Sequence, residues 1–245
     1  MEQRKVFRIT GKDRVDFLQN LVTNDVSKLD DGLVYAALLT PQGKYLADFF
    51  LEPDGEAILL DVAATLAPDL IRRLAMYKLR ADVAIAETTI SPVLGLGDTP
   101  SGAFADPRHV SLGWRAYDGR EAEAIDLETL RVIECIPESG VELLPNESYP
   151  LESGFERLNG VDFKKGCYVG QEVTARMKHK TELKKGLVTV SVEGSAQPGT
   201  DILTEDGKPA GTLFTQSGGK GIAYLRFDRA KGPMKAGDAD VTANL

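Results

Sequence analysis

A chain of 245 residues, 42% apolar and 27% charged, is long enough to bury a substantial core in one domain or two, and its composition excludes disorder. A net charge of −8 argues against a general nucleic-acid binder or stable DNA binding. Its apolar runs fall far short of the roughly 20 residues that cross a bilayer, and the start Met1-Glu2-Gln3-Arg4-Lys5 has no leader pattern. A soluble, cytoplasmic protein with no membrane contact is expected.

The first half alternates strand and helix signals. Val6 to Thr10 reads as a strand, and Asp13 after Gly11 caps a helix whose Val15, Leu18, Leu21 and Val22 recur at helical spacing. Leu33 to Leu39 and Tyr45 to Leu51 read as a strand pair joined by the turn Thr40-Pro41-Gln42-Gly43. A second turn, Glu52-Pro53-Asp54-Gly55, leads into strand Ala57 to Asp61. A helix from Leu66 to Leu79 and a strand from Asp82 to Glu87 complete the unit.

The stretch 91–120 is rich in Gly and Pro, with short strand signals such as Pro92 to Leu96. Asp126 to Cys135 reads as a helix that stops before Pro137, because proline cannot continue the hydrogen-bond ladder. Pro145 to Asn159 is loop-like, and Gln171 to Lys180 is composed of helix formers. From Lys184 the texture becomes short strands (Gly186–Val192, Asp201–Thr204, Pro209–Gln216, Gly221–Phe227) separated by Gly, Pro and Asp turns. That pattern suits a small β-barrel or sandwich, and it places a boundary between residues 1–180 and 181–245.

Two cysteines (Cys135, Cys167) and two histidines (His109, His179) at unrelated spacings make neither a disulfide framework nor a complete metal site. No nucleophile elbow, P-loop or dinucleotide fingerprint is present, and Gly95-Leu96-Gly97 is only a turn. A run of seven Lys and Arg between Phe163 and Gly186 is opposed only by Glu172 and Glu182. It reads either as a solvated basic face or as an anion-attracting surface beside Cys167.

Cys167 is flanked by Gly166 and Gly170, residues that admit positive φ and leave a thiol little cover. Lys164 and Lys165 precede it, and a helix start follows at Gln171. Both features favour a thiolate, with Lys165 the nearer electrostatic partner, Gln171 able to orient a ligand and Glu172 able to balance the helix start. The alternative is a small structural cysteine in a Gly-rich turn. Cys135 reads as core and His109 as a surface residue, and a Cys167–His179 dyad is disfavoured by the basic run around His179.

The run from Tyr149-Pro150-Leu151-Glu152 through Lys164-Lys165-Gly166-Cys167-Tyr168-Val169-Gly170-Gln171-Glu172 to Arg176 resembles the YgfZ family, whose motif is Lys-Gly-Cys-Tyr-x-Gly-Gln-Glu. These proteins are folate-binding relatives of the glycine-cleavage T-protein, an aminomethyltransferase. The segments Gly11-Lys12-Asp13, Phe17-Leu18-Gln19-Asn20, Thr23-Asn24-Asp25-Val26 and Thr40-Pro41-Gln42-Gly43-Lys44 resemble the family's front end. The resemblance implies an α+β fold: a T-protein-like ring of two mixed α/β subdomains and a C-terminal β-barrel around a folate-sized opening. It implies tetrahydrofolate, or a one-carbon derivative of it, as cofactor, and assembly or repair of iron–sulfur clusters as function. The partners implied are iron–sulfur client proteins, tRNA-modifying enzymes among them.

By the same resemblance Cys167 is the essential thiol with Lys165 and Gln171 as neighbours. Asp48, Tyr168 and Glu172 are the candidate folate-binding residues, with Asp48 where the T-protein places its folate-facing aspartate. One departure stands out: the T-protein's Leu-Arg-x-Glu helix appears as Leu130-Arg131-Val132-Ile133-Glu134, its carboxylate one residue late. That counts against the alternative of an aminomethyltransferase or other one-carbon transferase. A non-enzymatic folate-sensing scaffold is the third reading.

Overall fold

A computed structural model describes residues 3–121, 124–179 and 182–244. Its first unit is a five-stranded antiparallel sheet of β1 (Arg4–Thr10), β2 (Val34–Leu39), β3 (Tyr45–Asp54), β4 (Ala57–Ala63) and β5 (Ala84–Glu87), in the order β2-β3-β4-β1-β5. The unbroken apolar text of β2, Val-Tyr-Ala-Ala-Leu-Leu, has a physical reason: both faces of this sheet are covered. On one face Ala36, Leu38, Phe49 and Leu51 pack under helices α1 (Arg14–Gln19) and α2 (Ala67–Lys78) through Phe17, Leu18, Leu70 and Leu74. On the other, Tyr35, Ala37, Leu39 and Phe50 meet Leu112, Ile136, Phe155 and Leu158 from later in the chain. The two-residue period of β3 therefore carries Asp48 with Phe50, on the side away from α1 and α2.

Two expectations change here. Asp13 makes no side-chain cap to α1; its Oδ2 instead accepts the backbone N–H of Asp82 at 2.8 Å, tying the helix start to the approach of β5. Strand β3 runs on through Asp54, so the hairpin turn is Gly55-Glu56 rather than Glu52 to Gly55. Pro53 is tolerated there at the strand's end, opposite Ile58.

A small sheet of β6 (Val93–Gly95), β7 (Phe104–Ala105) and β8 (Trp114–Ala116) follows, with β8 central. Helix α3 (Leu127–Glu134) is capped by Asp126, which accepts Thr129 N–H at 3.0 Å. It ends at Cys135, which takes a left-handed conformation (φ 50°) two residues before Pro137. Helix α4 (Gln171–His179) starts directly after the cysteine turn.

The C-terminal strands β9 (Lys185–Glu193), β10 (Thr200–Thr204), β11 (Pro209–Ser217), β12 (Lys220–Arg226), β13 (Met234–Ala236) and β14 (Ala239–Ala243) close into a barrel, β10-β11-β12-β9-β14-β13. Closure decides between barrel and sandwich, and it needs β13 and β14, which the sequence pattern did not show. Both are three to five residues of mostly small or polar side chains. Residues 180 and 181, where the division of the chain and the end of α4 were expected, lie outside the described residues.

Candidate functional site

A cavity of about 330 Å³ opens where the first sheet, the β6–β8 sheet and α3 meet. Asp48 lines it and is buried, not facing solvent. Its Oδ1 accepts Tyr45 Oη at 2.6 Å and Ser139 Oγ at 2.6 Å, and its Oδ2 accepts Tyr35 Oη at 2.9 Å. Burial and the adjacent carboxylate push both tyrosine pKa values well up, so these hydroxyls stay donors. Three of the roughly four lone-pair positions on this carboxylate are thereby filled.

Three guanidiniums form another wall. Arg4, Arg108 and Arg115 all line the cavity and lie 5.6, 4.9 and 3.8 Å from the Phe50 ring centroid. Asp61 accepts Arg4 Nε at 2.5 Å and Tyr117 Oη at 2.9 Å. Asp106 is held bidentately by Arg108 (3.0 and 2.9 Å) and receives Arg115 Nε at 3.0 Å. Burial alone would raise the Asp106 pKa; Arg108 and Arg115 outweigh it and hold the carboxyl well below the usual range. On the α3 side the lining is acidic, with Asp126, Glu128 and Glu138 around Arg131. Arg131 Nε is buried and has no hydrogen-bond partner among the described residues.

The cysteine turn is built differently. Lys165 is buried, and its ammonium points into a socket of three backbone carbonyls: Gln19 at 2.7 Å, Val22 at 2.5 Å and Asn24 at 2.9 Å. Three N–H donors meet three acceptors. Burial lowers the Lys165 pKa to about 8. Lys28 Nζ pairs with Asp162 at 2.7 Å, whose other oxygen accepts the N–H of Lys164 (2.6 Å) and Lys165 (3.2 Å). Thr23 and Asn24 side chains donate to the carbonyls of Gly160 and Asn159, both at 2.6 Å. The two sequence segments that carry the family resemblance are thus one clamped unit.

Within that unit Cys167 is exposed. The expected role of Lys165 as its electrostatic partner is replaced by an anchoring one, because the ammonium is directed at residues 19–24. Gly170 does adopt positive φ (83°), and a Cβ there would lie 2.5 Å from the Thr40 carbonyl oxygen, so the turn packs on the 40–43 hairpin. Gly166 has neither a positive φ nor a close neighbour. Tyr168 is buried in the cluster that contains Tyr35 and Tyr45, with Lys165 Nζ 5.3 Å from its ring, and burial raises its pKa. Gln171 is half-buried, its amide 3.5 Å from the Gly166 carbonyl, and Glu172 is exposed. None of Lys165, Cys167, Tyr168, Gln171 or Glu172 lines the cavity.

The remaining candidates separate as well. Glu134 is turned to His109 (3.5 Å), whose other nitrogen contacts Ser111 Oγ at 2.8 Å. Cys135 is half-buried, and burial pushes its thiol up to about 11. The basic run is dispersed: Lys165 is inside, Lys178 pairs with Glu156, and Lys185 lies 3.8 Å from Glu152. Sequence reasoning missed Arg4, Arg108, Arg115, Arg131 and Ser139. The local signals are a charge at an inward strand position for Arg4 and Arg115, the Asp106-x-Arg108 turn for Arg108, and the Leu130-Arg131 motif for Arg131, read above only for its carboxylate; Ser139 carries none. Among the described residues no group of three His, Cys, Asp or Glu side chains could hold a metal ion, and no helix is long and apolar enough to cross a membrane.

Comparison with known proteins identifies relatives by sequence and by fold. Residues 184–245 match the family described as the CAF17 C-terminal β-barrel domain. The chain is 32% identical over 222 residues to the mitochondrial iron–sulfur cluster assembly factor IBA57 homologue of Mycosarcoma maydis, covering 77% of this chain and 55% of that protein. It is 28% identical over 279 residues to human mitochondrial IBA57, covering 96% of this chain and 78% of that one. The chain therefore spans little more than half the length of the fungal relative. The solved aminomethyltransferase T of the glycine cleavage system from Bartonella henselae superposes with a TM-score of 0.72 at 13% identity, over 97% of this chain and 81% of that one. The homologues are iron–sulfur cluster assembly factors, and the fold is that of the glycine-cleavage T-protein ending in a CAF17-type β-barrel.

Proposed function

We propose that this protein is a YgfZ-type factor for assembly or repair of iron–sulfur clusters. In this reading it binds tetrahydrofolate or a one-carbon derivative in the cavity and acts on its clients through the thiol of Cys167. The observation that carries the folate reading is the cavity's donor set. A reduced pterin has an amine-rich donor edge next to a ring carbonyl. The cavity offers Asp48, Glu138 and Glu128 as acceptors, with guanidinium donors beside them, including the unpartnered Nε of Arg131. A volume of about 330 Å³ is at the low end for small-molecule sites, enough for the head group with the tail leaving toward solvent. Bound there, the folate would supply one-carbon chemistry or serve as the signal for loading.

The thiol reading rests on the turn. The clamp of Lys165, Asp162, Thr23 and Asn24 orders a segment whose one reactive side chain is left in solvent. A solvent-facing thiol on an ordered platform suits contact with a partner's cluster, which is the cargo. Gln171 and Glu172, at the start of α4 beside the thiol, are assigned to partner contact. Clients include tRNA-modifying enzymes in this reading. In this reading the chain divides into a body, 1–180, that carries cavity and thiol, and a barrel domain, 181–245, whose strands run from Lys185 to Ala243. Two free thiols suit a reducing compartment, the cytoplasm, while the curated relatives named above are mitochondrial. The transferase alternative is weakened because Glu134 turns to His109 and does not line the cavity.

Titration calorimetry with 5-formyltetrahydrofolate tests the first half, with saturable binding lost in Asp48→Ala as the expected result. Complementation of a strain depleted of its own factor tests the second. Cys167→Ser is expected to abolish recovery of iron–sulfur enzyme activity while keeping folate affinity. Full recovery by Cys167→Ser would sink the thiol role.

A further inference from the structure

The guanidinium of Arg131 has five donors in a fixed fork, and the structure accounts for its two outer nitrogens. Nη1 donates to Glu138 Oε2 at 2.6 Å and Nη2 to Glu142 Oε2 at 3.2 Å. Nε remains buried with no partner among the described residues, on a residue that lines the cavity. Leaving a charged group's donor buried without an acceptor is among the costlier arrangements in a protein interior. The same guanidinium reaches the barrel. Glu142, whose side chain is wholly buried, accepts the Thr215 N–H at 3.2 Å and the Thr215 hydroxyl at 2.5 Å. Thr215 lies on β11, so a continuous set of hydrogen bonds runs from the cavity wall into the barrel.

We propose that Arg131 is a ligand-binding residue of the cavity, that its Nε takes a carbonyl oxygen of the ligand, and that the same side chain carries occupancy to β11 of the barrel. This rests on the folate reading above and sharpens it. The charge around Arg131 specifies the kind of acceptor. Glu138, Glu142, Asp126 and Glu128 surround it, so a free carboxylate of the ligand would be repelled. A neutral carbonyl beside an N–H, the edge of a cyclic amide, suits both partners: the oxygen faces Arg131 and the N–H faces a carboxylate such as Glu138. The coupling follows from sharing. A ligand that fixes the Arg131 fork fixes Glu142, and with it the Thr215 amide and hydroxyl.

The test combines affinity with backbone hydrogen exchange on the full chain, using 5-formyltetrahydrofolate as probe. Arg131→Lys retains the cation for Glu138 and Glu142 but has no donor at the Nε position. It is expected to weaken binding about tenfold or more, roughly 1.4 kcal/mol per decade. In the wild type the Thr215 amide is expected to exchange more slowly when ligand is bound, and in Arg131→Lys to show no such change. Thr215→Val removes the hydroxyl at constant shape but keeps the backbone N–H on Glu142, so it is expected to weaken the barrel response with only a few-fold loss of affinity, since coupling is reciprocal. Binding by Arg131→Lys equal to wild type overturns the proposal and leaves the folate reading standing. No binding by the wild type overturns both. If Arg131→Lys fails to fold, Glu138→Gln decides: unchanged affinity there removes the cyclic-amide pairing and the proposal with it.

Discussion

Glu52 sits on β3 two residues before Asp54, on one face of the strand, with Arg8 paired to Asp54. One of its carboxylate oxygens is buried without a hydrogen-bond partner among the described residues. Burial, and then the charge of Asp54, push its pKa up to about 7. The folded state therefore binds a proton that the unfolded chain releases near its ordinary value, so stability contributed by this group falls as pH rises from about 4.5 to about 7. Glu52→Gln is expected to stabilise the protein at pH 8 by roughly 1 kcal/mol, since partial exposure screens the effect, and to be neutral near pH 4. Urea denaturation at the two pH values measures this, and an equal effect at both would refute the assignment. No sequence pattern marks Glu52 as unusual, because its environment is assembled from strands β1 and β3 and their neighbours.

At the scale of elements, the segments 19–28 and 159–170 bring two motifs that are distant in sequence into one bonded unit. Thr23, Asn24 and Lys28 hold the carbonyls and carboxylate of residues 159–162, while Lys165 returns to the carbonyls of residues 19–24. Replacing Lys165 by Met keeps much of the apolar stem but strands three carbonyls, an expected loss of about 2–4 kcal/mol. A nitroxide on Cys167, in a Cys135→Ser background, is expected to give sharper lines in Lys165→Met than with Lys165 intact, because the turn loses its anchor. Identical spectra would show that the clamp does not order the thiol. The motif was legible as a string, and most strands and helices were legible from their periods. The direction of Lys165 was not, because the usual reading of a lysine two residues from a cysteine is electrostatic. Only the carbonyls left free after the short helix α1 make a better destination.

For the whole molecule, the cavity and the barrel are joined through α3 and the turn after it. Thr189 of β9 donates to the Val132 carbonyl at 2.7 Å, Thr129 meets Ser217 of β11 at 2.7 Å, and Tyr224 of β12 donates to Glu152 at 2.6 Å. Glu142, whose side chain is wholly buried, is the central acceptor of this seam, with Arg131, the Glu138 N–H and Thr215 all on its carboxylate. The barrel's texture was readable from its turns, but the cavity was not, because Arg4, Asp48, Arg115 and Arg131 come from four separate stretches of chain. Removing the central acceptor should expose that dependence. Glu142→Ala leaves Arg131 with Glu138 and the Thr215 hydroxyl oxygen, and leaves the Thr215 N–H and hydroxyl without their acceptor, an expected cost of about 3 kcal/mol. Trp114 reports the body by fluorescence, and far-ultraviolet dichroism reports the barrel strands with the rest. In wild type the two signals should lose structure together in urea, whereas in Glu142→Ala the dichroism change should begin at lower urea than the Trp114 change. Coincident curves at the wild-type midpoint would mean that body and barrel do not depend on this carboxylate.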